Sequence, residues 1–331
     1  MTQRLMRGKR NYRIDNMRAL LILLVVLGHL TEITHYRNSD FVYCLIYVFH
    51  MPGFALLSGI CWSVLKREQI WKKLVYPYVI FQTIYVIFQR IVLSESVTLQ
   101  YTTPYWLMWY LLALIQWEMI ASTIAFTPQN ASRIVVCSLI VSMLSGLDDG
   151  IGYFLSLSRM LVLFPFFIIG VWLREYSEYL EKKSTKWGIG LAFVVLIICV
   201  ILVWRFHKSI NNIWLYNSVS YYSAGYHMGI RLGILILAAI MISCLLILIP
   251  NYSIGGGVSY LGQNTMPVYL LHGLIVRWLG RYSILWNEIC CNGFILFVMA
   301  ILIVAILASP PVIMIIKPLM IWPLPNNRIE K

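Results

Sequence analysis

Long apolar stretches, separated by short polar connections, run along almost the whole of this sequence. The hydrocarbon core of a bilayer is about 30 Å thick, so a helix that crosses it needs roughly 17 to 25 apolar residues. The pattern predicts ten such helices, at residues 17–34, 41–64, 74–93, 104–126, 132–147, 152–173, 187–205, 230–250, 262–280 and 293–316. Neither an internal repeat nor a separable soluble domain is evident, so residues 1–331 are predicted to form one all-α polytopic membrane domain.

The composition is that of a membrane protein. Of the 331 residues, 60% are hydrophobic and 12% are charged, whereas soluble domains carry about 25% charged residues. The formal net charge is +13, but the basic residues occur as short clusters between apolar stretches, which argues against a nucleic-acid partner. The seven cysteines show no disulfide framework and no CxxC pattern, and no metal site is expected.

Lysines and arginines outside the apolar stretches are concentrated in alternate connections. One side of the predicted bundle receives Arg4, Arg7, Lys9, Arg10, Arg13, Lys66, Arg67, Lys72, Lys73, Arg133, Arg174, Lys182, Lys183, Lys186, Lys317, Arg328 and Lys331. The other side receives only Arg37, Arg205, Lys208, Arg231, Arg277 and Arg281. Cytoplasmic connections carry the excess of basic residues. We therefore expect a multi-pass plasma-membrane protein with both termini and the basic segment 1–16 in the cytoplasm, and with loop 206–229 outside.

Four ionisable side chains fall in the middle or outer half of the predicted membrane. At a rise of about 1.5 Å per residue, His29 lies roughly 18 Å from the inner boundary and His272 roughly 15 Å from it, while His50 and Arg159 lie roughly 13 Å and 10 Å below the outer boundary. A charge at such depth is costly and usually faces a polar cavity. Any one histidine can instead be a neutral ring bonded to a neighbouring helix, but four at similar depth favour a shared polar chamber.

Helical spacing aligns further polar residues with these four. Arg18 and His29 are eleven residues apart, which puts them on one helix face about 16 Å apart, with Asp15 and Glu32 one turn beyond them. Two more stripes are predicted, formed by His50, Phe54 and Ser58 on the second span and by Thr265, Tyr269 and His272 on the ninth. Ser58 and Thr265 also fit the simpler role of packing residues, since hydroxyls often bond between membrane helices.

Five motifs, in order from residue 12 to about 272, resemble membrane acyltransferase family 3 and in particular its fucose 4-O-acetylase-like branch. They are the pair Arg18 and His29 in "RALLILLVVLGH", then "FHMPGFALLSG", "YWLMWYLLAL", "SRMLVLFPFFIIG" and "LGQNTMPVYLLH". The resemblance implies an acyltransferase of the kind that transfers groups other than amino-acyl groups. Members move an acyl group, usually acetyl, from cytoplasmic acyl-CoA to a hydroxyl of a cell-envelope or exported glycan.

His29 is the candidate general base of that reaction. A sugar hydroxyl is a poor nucleophile, and histidine titrates near working pH, so a neutral imidazole suits removal of the hydroxyl proton. Glu32 would orient the ring, and Arg18 would clamp the donor or anchor the helix. The remaining chamber residues are His50, Ser58, Arg159, Asn264, Tyr269 and His272. An acyl-histidine intermediate is the mechanistic alternative.

We expect no permanently bound cofactor, and acyl-CoA is the expected co-substrate. Basic residues on the cytoplasmic side of the chamber are candidates for binding its phosphates. They are Lys72, Lys73 and Arg13. The family commonly has paired arginines where this chain has "WKKLVYP", and lysine lacks the bidentate fork of arginine. The alternative for each lysine is an ordinary positive-inside charge.

Aromatic residues on the outer side are candidates for binding the acceptor, because flat rings with polar tips suit sugar faces. Loop 206–229 contains many of them, and the candidates are Trp214 and Tyr222 there, with Trp106 and Trp109 at the end of the fourth span. The alternative is an interfacial aromatic belt.

Two other functions are compatible with the residues. A transporter or exporter would use the midplane histidines and Arg159 to bind substrate or relay protons, but internal repeats and paired broken helices are absent from the sequence. An accessory subunit of a polysaccharide-biosynthesis complex would have neither activity alone. The acceptor sugar, the hydroxyl modified, the acyl chain, and any homo-oligomer or biosynthetic partner stay open at this point.

Overall fold

The computed structural model describes residues 11–34, 38–65, 67–124, 126–175, 184–282 and 292–322, and within these ranges every regular element is a helix. The helices are α1 (Tyr12–Glu32), α2 (Ser39–Ile60), α3 (Arg67–Ile91), α4 (Trp109–Thr123), α5 (Pro128–Leu144), α6 (Leu157–Glu175), α7 (Lys186–Phe206), α8 (Asn212–Tyr216), α9 (Tyr221–Ala224), α10 (Met228–Leu248), α11 (Gly256–Gln263), α12 (Thr265–Tyr282), α13 (Gly293–Leu307) and α14 (Pro310–Met320). The prediction of an all-α membrane protein is confirmed.

Each of the ten sequence segments predicted as spans is helical over most of its length. Among the described residues, six helices are both long and apolar enough to cross a membrane, and a bent pair near the carboxyl end would make seven. The count of ten spans and the cytoplasmic position of both termini therefore stay predictions. Residues 1–10 and 323–331, with Arg4, Arg328 and other charges used for orientation, lie outside the described residues, as do Lys182 and Lys183.

The last predicted span, 293–316, is not one straight helix. α13 ends at Leu307, α14 begins at Pro310, and the two helices are bent by 65°. Pro310 and Pro311 cause the break, because neither has a backbone N–H to continue the hydrogen-bond ladder of α13, whereas proline is well tolerated in the first turn of a new helix.

Loop 206–229, predicted as a single loop, contains the short helices α8 and α9.

Helix α1 lies at the centre of the bundle. It packs against α2, α11, α12 and α13, and its side chains Met17, Leu21, Val26 and Leu30 are fully buried. A helix that is apolar all round is normally a buried one. Helix α7, in contrast, exposes most of its apolar surface and is positioned to face lipid.

Helices α2 and α6 approach each other through two glycines. A Cβ atom at Gly59 would lie 2.0 Å from the carbonyl oxygen of Phe167, and one at Gly170 would lie 2.1 Å from that of Leu56. Small residues allow this kind of close backbone contact between membrane helices. The two glycines close the sequence motifs "FHMPGFALLSG" and "SRMLVLFPFFIIG", so both motifs have a packing role.

Helix α11 approaches α1 in the same way, since a Cβ atom at Gly262 would lie 2.0 Å from the carbonyl oxygen of Asp15. This contact sets the start of α12 beside the first turns of α1. The glycine of the fifth motif, "LGQNTMPVYLLH", therefore also has a packing role.

We expect Gly59→Ala and Gly170→Ala to lower the thermal stability of the purified protein markedly. The added methyl would meet a backbone carbonyl, which no rotation of a side chain can relieve, and overpacking of this kind costs about 1–3 kcal/mol or more. Gly190→Ala and Gly233→Ala are matched controls, because both glycines are exposed within helices and a Cβ atom there meets nothing within 4 Å. Equal melting temperatures for all four variants would contradict the close α2–α6 contact.

Candidate active site

A cavity of about 610 Å³ lies among α1, α2, α4, α6 and α12. It follows α1 from Arg18 to Glu32, which is about 21 Å along the helix axis. Gln263 and Thr265 line it at the Arg18 end, and Tyr216 and Asn217 of loop 206–229 line it at the Glu32 end. The cavity therefore runs from the second turn of the central helix to its last residue.

His29 and Glu32 form the polar centre of the cavity. The imidazole Nδ1 lies 3.1 Å from Oε2 of Glu32, because residues three apart on a helix share a face. Tyr47 of α2 donates its hydroxyl proton to Oε1 of Glu32, and its hydroxyl oxygen lies 3.0 Å from Nδ1 of His29. Tyr216 also donates to Oε1 of Glu32, at 3.2 Å. The carboxylate thus joins α1, α2 and the loop.

This arrangement favours one tautomer of His29. With its proton on Nδ1, the ring donates to Glu32 and to the hydroxyl oxygen of Tyr47, and Nε2 keeps its lone pair. None of the described residues hydrogen-bonds Nε2, and His29 lines the cavity. His29 also lies three residues before the end of α1, which is nearer to that end than the sequence estimate. The free nitrogen can accept a proton from a molecule in the cavity.

Two aromatic rings pack against the imidazole of His29. Trp106 lies edge-on at 4.8 Å between ring centroids, and His272 of α12 stacks at 5.5 Å. His272 is fully buried and does not line the cavity, and its Nδ1 donates to the carbonyl of Val268 at 2.7 Å. The structure therefore brings His272 to the site as a support behind His29.

His50 and Arg159 line the same cavity. The Nδ1 of His50 donates to the carbonyl of Ile46 at 2.8 Å. The Nε of Arg159 donates to the carbonyl of Tyr216 at 3.0 Å, and its guanidinium lies 5.0 Å from the centre of the Trp109 ring. Among the described residues, no hydrogen-bond partner is recorded for the two terminal nitrogens of Arg159, which leaves them able to bind an anion or a carbonyl oxygen.

Two predicted hydroxyls line the cavity but are already bonded within the protein. Ser58 lies 2.8 Å from the hydroxyl of Tyr110. Tyr269 donates to the carbonyl of Leu107 at 2.7 Å and accepts from the amide of Leu111 at 3.3 Å. Both hydroxyls join helices across the cavity wall, which is the packing role that the sequence left open for Ser58.

Several candidate residues lie outside the cavity. The side chain of Asn264 donates to the carbonyl of Tyr260 at 2.8 Å. Trp214 donates its indole N–H to the carbonyl of Ala224, and Tyr222 is 90% exposed. The acceptor candidates that do line the cavity are Trp106 and Trp109, and loop 206–229 reaches it through Tyr216 instead.

The three proposed donor cations also lie outside the cavity. Arg13 is buried, and its Nε donates to the carbonyl of Ile249 at 3.0 Å, so it fastens α1 to the connection before α11 and is not an open phosphate ligand. Lys72 pairs with Glu68 one turn earlier, and Lys73 is exposed. An exposed pair of this kind is weak, so both lysines stay accessible.

Sequence reasoning missed Tyr47 and gave Tyr216 no individual role. Tyr47 lies three residues before His50, so the helical spacing used for His50 could have included it. No periodic signal singles out Tyr216, because it reaches Glu32 from a connection between long helices.

Comparison with known proteins gives one family and one partial relative. A family model described as an acyltransferase domain matches residues 11–314. A segment of 57 residues is 42% identical to the nodulation protein NolL of Sinorhizobium fredii and covers 16% of this chain and 16% of that protein. The match therefore spans much less than two thirds of the relative. No solved structure matches the chain.

A buried arginine holds loop 206–229 in place over the cavity. Arg231 is 1% exposed, and its Nε donates to the hydroxyl of Tyr226 at 2.9 Å. Its terminal nitrogens donate to the carbonyls of Ser142 and Val219, and its guanidinium lies 4.3 Å from the centre of the Tyr221 ring. Because the charge is bonded on several sides, it joins the loop to α5 and α10.

We expect Arg231→Met to loosen loop 206–229, because it removes the donor of the Val219 carbonyl in the loop and one of the two donors of the Ser142 carbonyl in α5. A buried acceptor that loses its only donor costs about 1–3 kcal/mol. Amide hydrogen exchange in residues 212–226 should become at least about tenfold faster, the effect of about 1.4 kcal/mol. Arg205→Met is the matched control, since Arg205 is exposed near the start of the same loop. Unchanged exchange in Arg231→Met would show that the loop is held by other contacts.

Proposed function

The chain belongs to the acyltransferase family whose model matches residues 11–314, and we propose that it is a plasma-membrane O-acetyltransferase. In this proposal, acetyl-CoA binds from the cytoplasm, and the acceptor is a hydroxyl of an extracellular or lipid-linked glycan. The same proposal places the chain in the fucose 4-O-acetylase-like branch, which its five motifs resemble. It also gives His29 the role of general base.

The proposed reaction is a direct transfer at His29. The acceptor hydroxyl oxygen attacks the thioester carbonyl while Nε2 of His29 takes the hydroxyl proton. The tetrahedral intermediate then collapses, the carbon–sulfur bond breaks, and the thiolate of CoA receives the proton from the imidazolium. The ester stays on the glycan and CoA leaves toward the cytoplasm.

The observation that carries the proposal is the pairing of Nδ1 of His29 with a carboxylate in a ring that lines the cavity and whose Nε2 is bonded by none of the described residues. A base needs its lone pair exposed to the reacting proton and its other nitrogen held by an orienting group. Glu32 meets the second requirement, and it also stabilises the imidazolium that forms during transfer.

Arg159 is the residue best placed to stabilise the oxyanion of the intermediate. Arg159 lines the cavity beside Tyr216 and Trp109, and its terminal nitrogens have no hydrogen-bond partner among the described residues. Donors that are already fixed where negative charge develops give large rate effects in sites that exclude water. Arg18 lies about 16 Å from His29 along the axis of α1. It therefore fits the end of the cavity where the donor would bind.

The experiment that tests the function uses purified full-length protein in lipid nanodiscs, with radiolabelled acetyl-CoA and glycans extracted from the envelope of cells that lack the protein. We expect label to appear as an alkali-labile ester on the glycan, and mass spectrometry identifies the modified sugar. Movement of the glycan into sealed proteoliposomes that contain the protein, without modification, would instead support a transporter. Absence of label in all glycan fractions would contradict the proposal.

We expect His29→Gln and His29→Ala to reduce the transfer rate by at least about 100-fold, the low end of the contribution of a general base. Glu32→Gln keeps hydrogen bonding but loses the charge that orients the ring, and we expect a loss of at least about tenfold. The matched control is His227→Gln, because His227 is exposed and lies outside the cavity.

Binding of acetyl-CoA should survive in both His29 variants, since the base acts on the acceptor. Near-normal turnover in His29→Gln would contradict the role of His29 as general base. His50 would then be the next candidate for that role. An acyl-histidine found on His29 after incubation with donor alone would replace direct transfer by a two-step path.

For the donor site, we expect the double substitution Lys72→Gln and Lys73→Gln to raise the KM for acetyl-CoA roughly threefold to tenfold, a loss of about 0.7 to 1.4 kcal/mol, and to leave the acceptor KM unchanged. Arg18→Gln should also raise the KM for acetyl-CoA, because Arg18 lines the cavity. Lys186→Gln is the control, an exposed lysine on the helix that packs least. An unchanged donor KM in the double variant would exclude both lysines from donor binding.

A further inference from the structure

A second cavity, of about 450 Å³, opens beside the outer end of α1. Its lining comes from the end of α1, the start of α2, the segment before α4, helix α8 and α12. Asp40, Tyr43, Asn212 and Arg277 line it and do not line the larger cavity. It is thus a separate compartment on the side of the bundle where Glu32 lies.

Three residues form the wall between the two cavities. Glu32, Trp106 and Tyr216 line both of them, and the Trp106 ring also packs against His29. Trp106 has a φ of 32°, a conformation that is unfavourable for a bulky residue and that often marks a functional site. A molecule in the smaller cavity is therefore separated from His29 by only one layer of side chains.

The described lining of the smaller cavity has an excess of negative charge. Asp40 is exposed and forms no ion pair among the described residues, and Glu32 lies in the wall. The guanidinium of Arg277, in contrast, is paired with Glu95 at 2.9 Å, so its charge is largely compensated. The described part of the lining therefore disfavours anionic ligands and tolerates neutral or cationic ones.

The same cavity offers groups that suit a sugar. Tyr43 and Tyr216 both line this cavity, and their hydroxyls lie close to each other. Asn212 is exposed, with no side-chain bond recorded in the described part of the chain, and Trp106 presents an aromatic surface. An aromatic wall combined with a few convergent polar groups is the usual chemistry of a saccharide or other small polar ligand site.

We propose that the smaller cavity is the acceptor subsite and takes a neutral or amino sugar in preference to a uronic acid or a phosphorylated sugar. The sugar ring lies between Asp40, Tyr43 and Trp106, and one hydroxyl passes Trp106 to reach Nε2 of His29. The acyl-pantetheine chain of the donor occupies the larger cavity. Naming this ligand the acceptor rests on the proposed function, but the charge preference of the cavity does not.

The test measures binding of three methyl glycosides, a glucoside, a glucosaminide and a glucuronide, by saturation-transfer NMR. The full-length protein is held in nanodiscs of neutral phosphatidylcholine, free of glycosidic detergents that would compete. For the wild type we expect the first two to bind at least about fivefold more tightly than the glucuronide, as one unit of charge at the rim of a cavity would produce.

Asp40→Asn should reduce this preference, and Asp40→Lys should reverse it. Asp148→Asn and Asp148→Lys are the matched controls, because Asp148 is an exposed carboxylate that lines neither cavity. Asn212→Trp should fill the smaller cavity and abolish binding of all three glycosides. The same Asp40 variants should raise the acceptor KM in the transfer assay without changing the acetyl-CoA KM.

Failure to bind any of the three glycosides, or binding that Asp40→Lys and Asn212→Trp leave unchanged, would overturn the assignment of the subsite. Binding with the expected charge preference but no acyl transfer to any glycan would keep the subsite as a sugar site and contradict only the proposed reaction. The two outcomes are therefore distinguishable.

Discussion

The rest of the site depends on the hydrogen bonds of one half-buried carboxylate, that of Glu32, at the end of the central helix. A carboxylate that is largely removed from water must be hydrogen-bonded or it destabilises the fold. Glu32 obtains its bonds from three different elements: His29 on its own helix, Tyr47 on α2 and Tyr216 in the connection after α7. The same bonds fix the His29 ring and bring the loop over the cavity, so the position of the loop and the orientation of this imidazole have a common cause.

Glycine contacts fix the helices that surround this cluster. Gly59 and Gly170 bring the backbones of α2 and α6 together, and Gly262 does the same for α11 and α1. Since α1, α2 and α6 each contribute lining residues, these contacts set the positions of several walls of the cavity relative to one another.

Much of the cavity lining could be predicted from the sequence because helical periodicity fixes which residues share a face. Arg18, His29, His50, Ser58, Arg159 and Tyr269 all line one cavity of the structure. Periodicity within one helix does not give partners on another helix, so the bond between Tyr47 and Glu32 was missed. Loop residues have no periodicity at all, so the sequence does not distinguish Tyr216, which contacts Glu32, from Trp214 and Tyr222. The bend before Pro310 was not predicted, although the proline pair Pro310–Pro311 indicates one.

The wall formed by Glu32, Trp106 and Tyr216 has a consequence for the order in which substrates combine with the enzyme. If each substrate occupies its own compartment, neither blocks the path of the other, and a ternary complex can assemble in either order. High concentrations of one substrate then do not inhibit by occupying the place of the other. In the proposed reaction, the same wall separates the thioester of the donor from water in the smaller cavity, which limits hydrolysis of the donor.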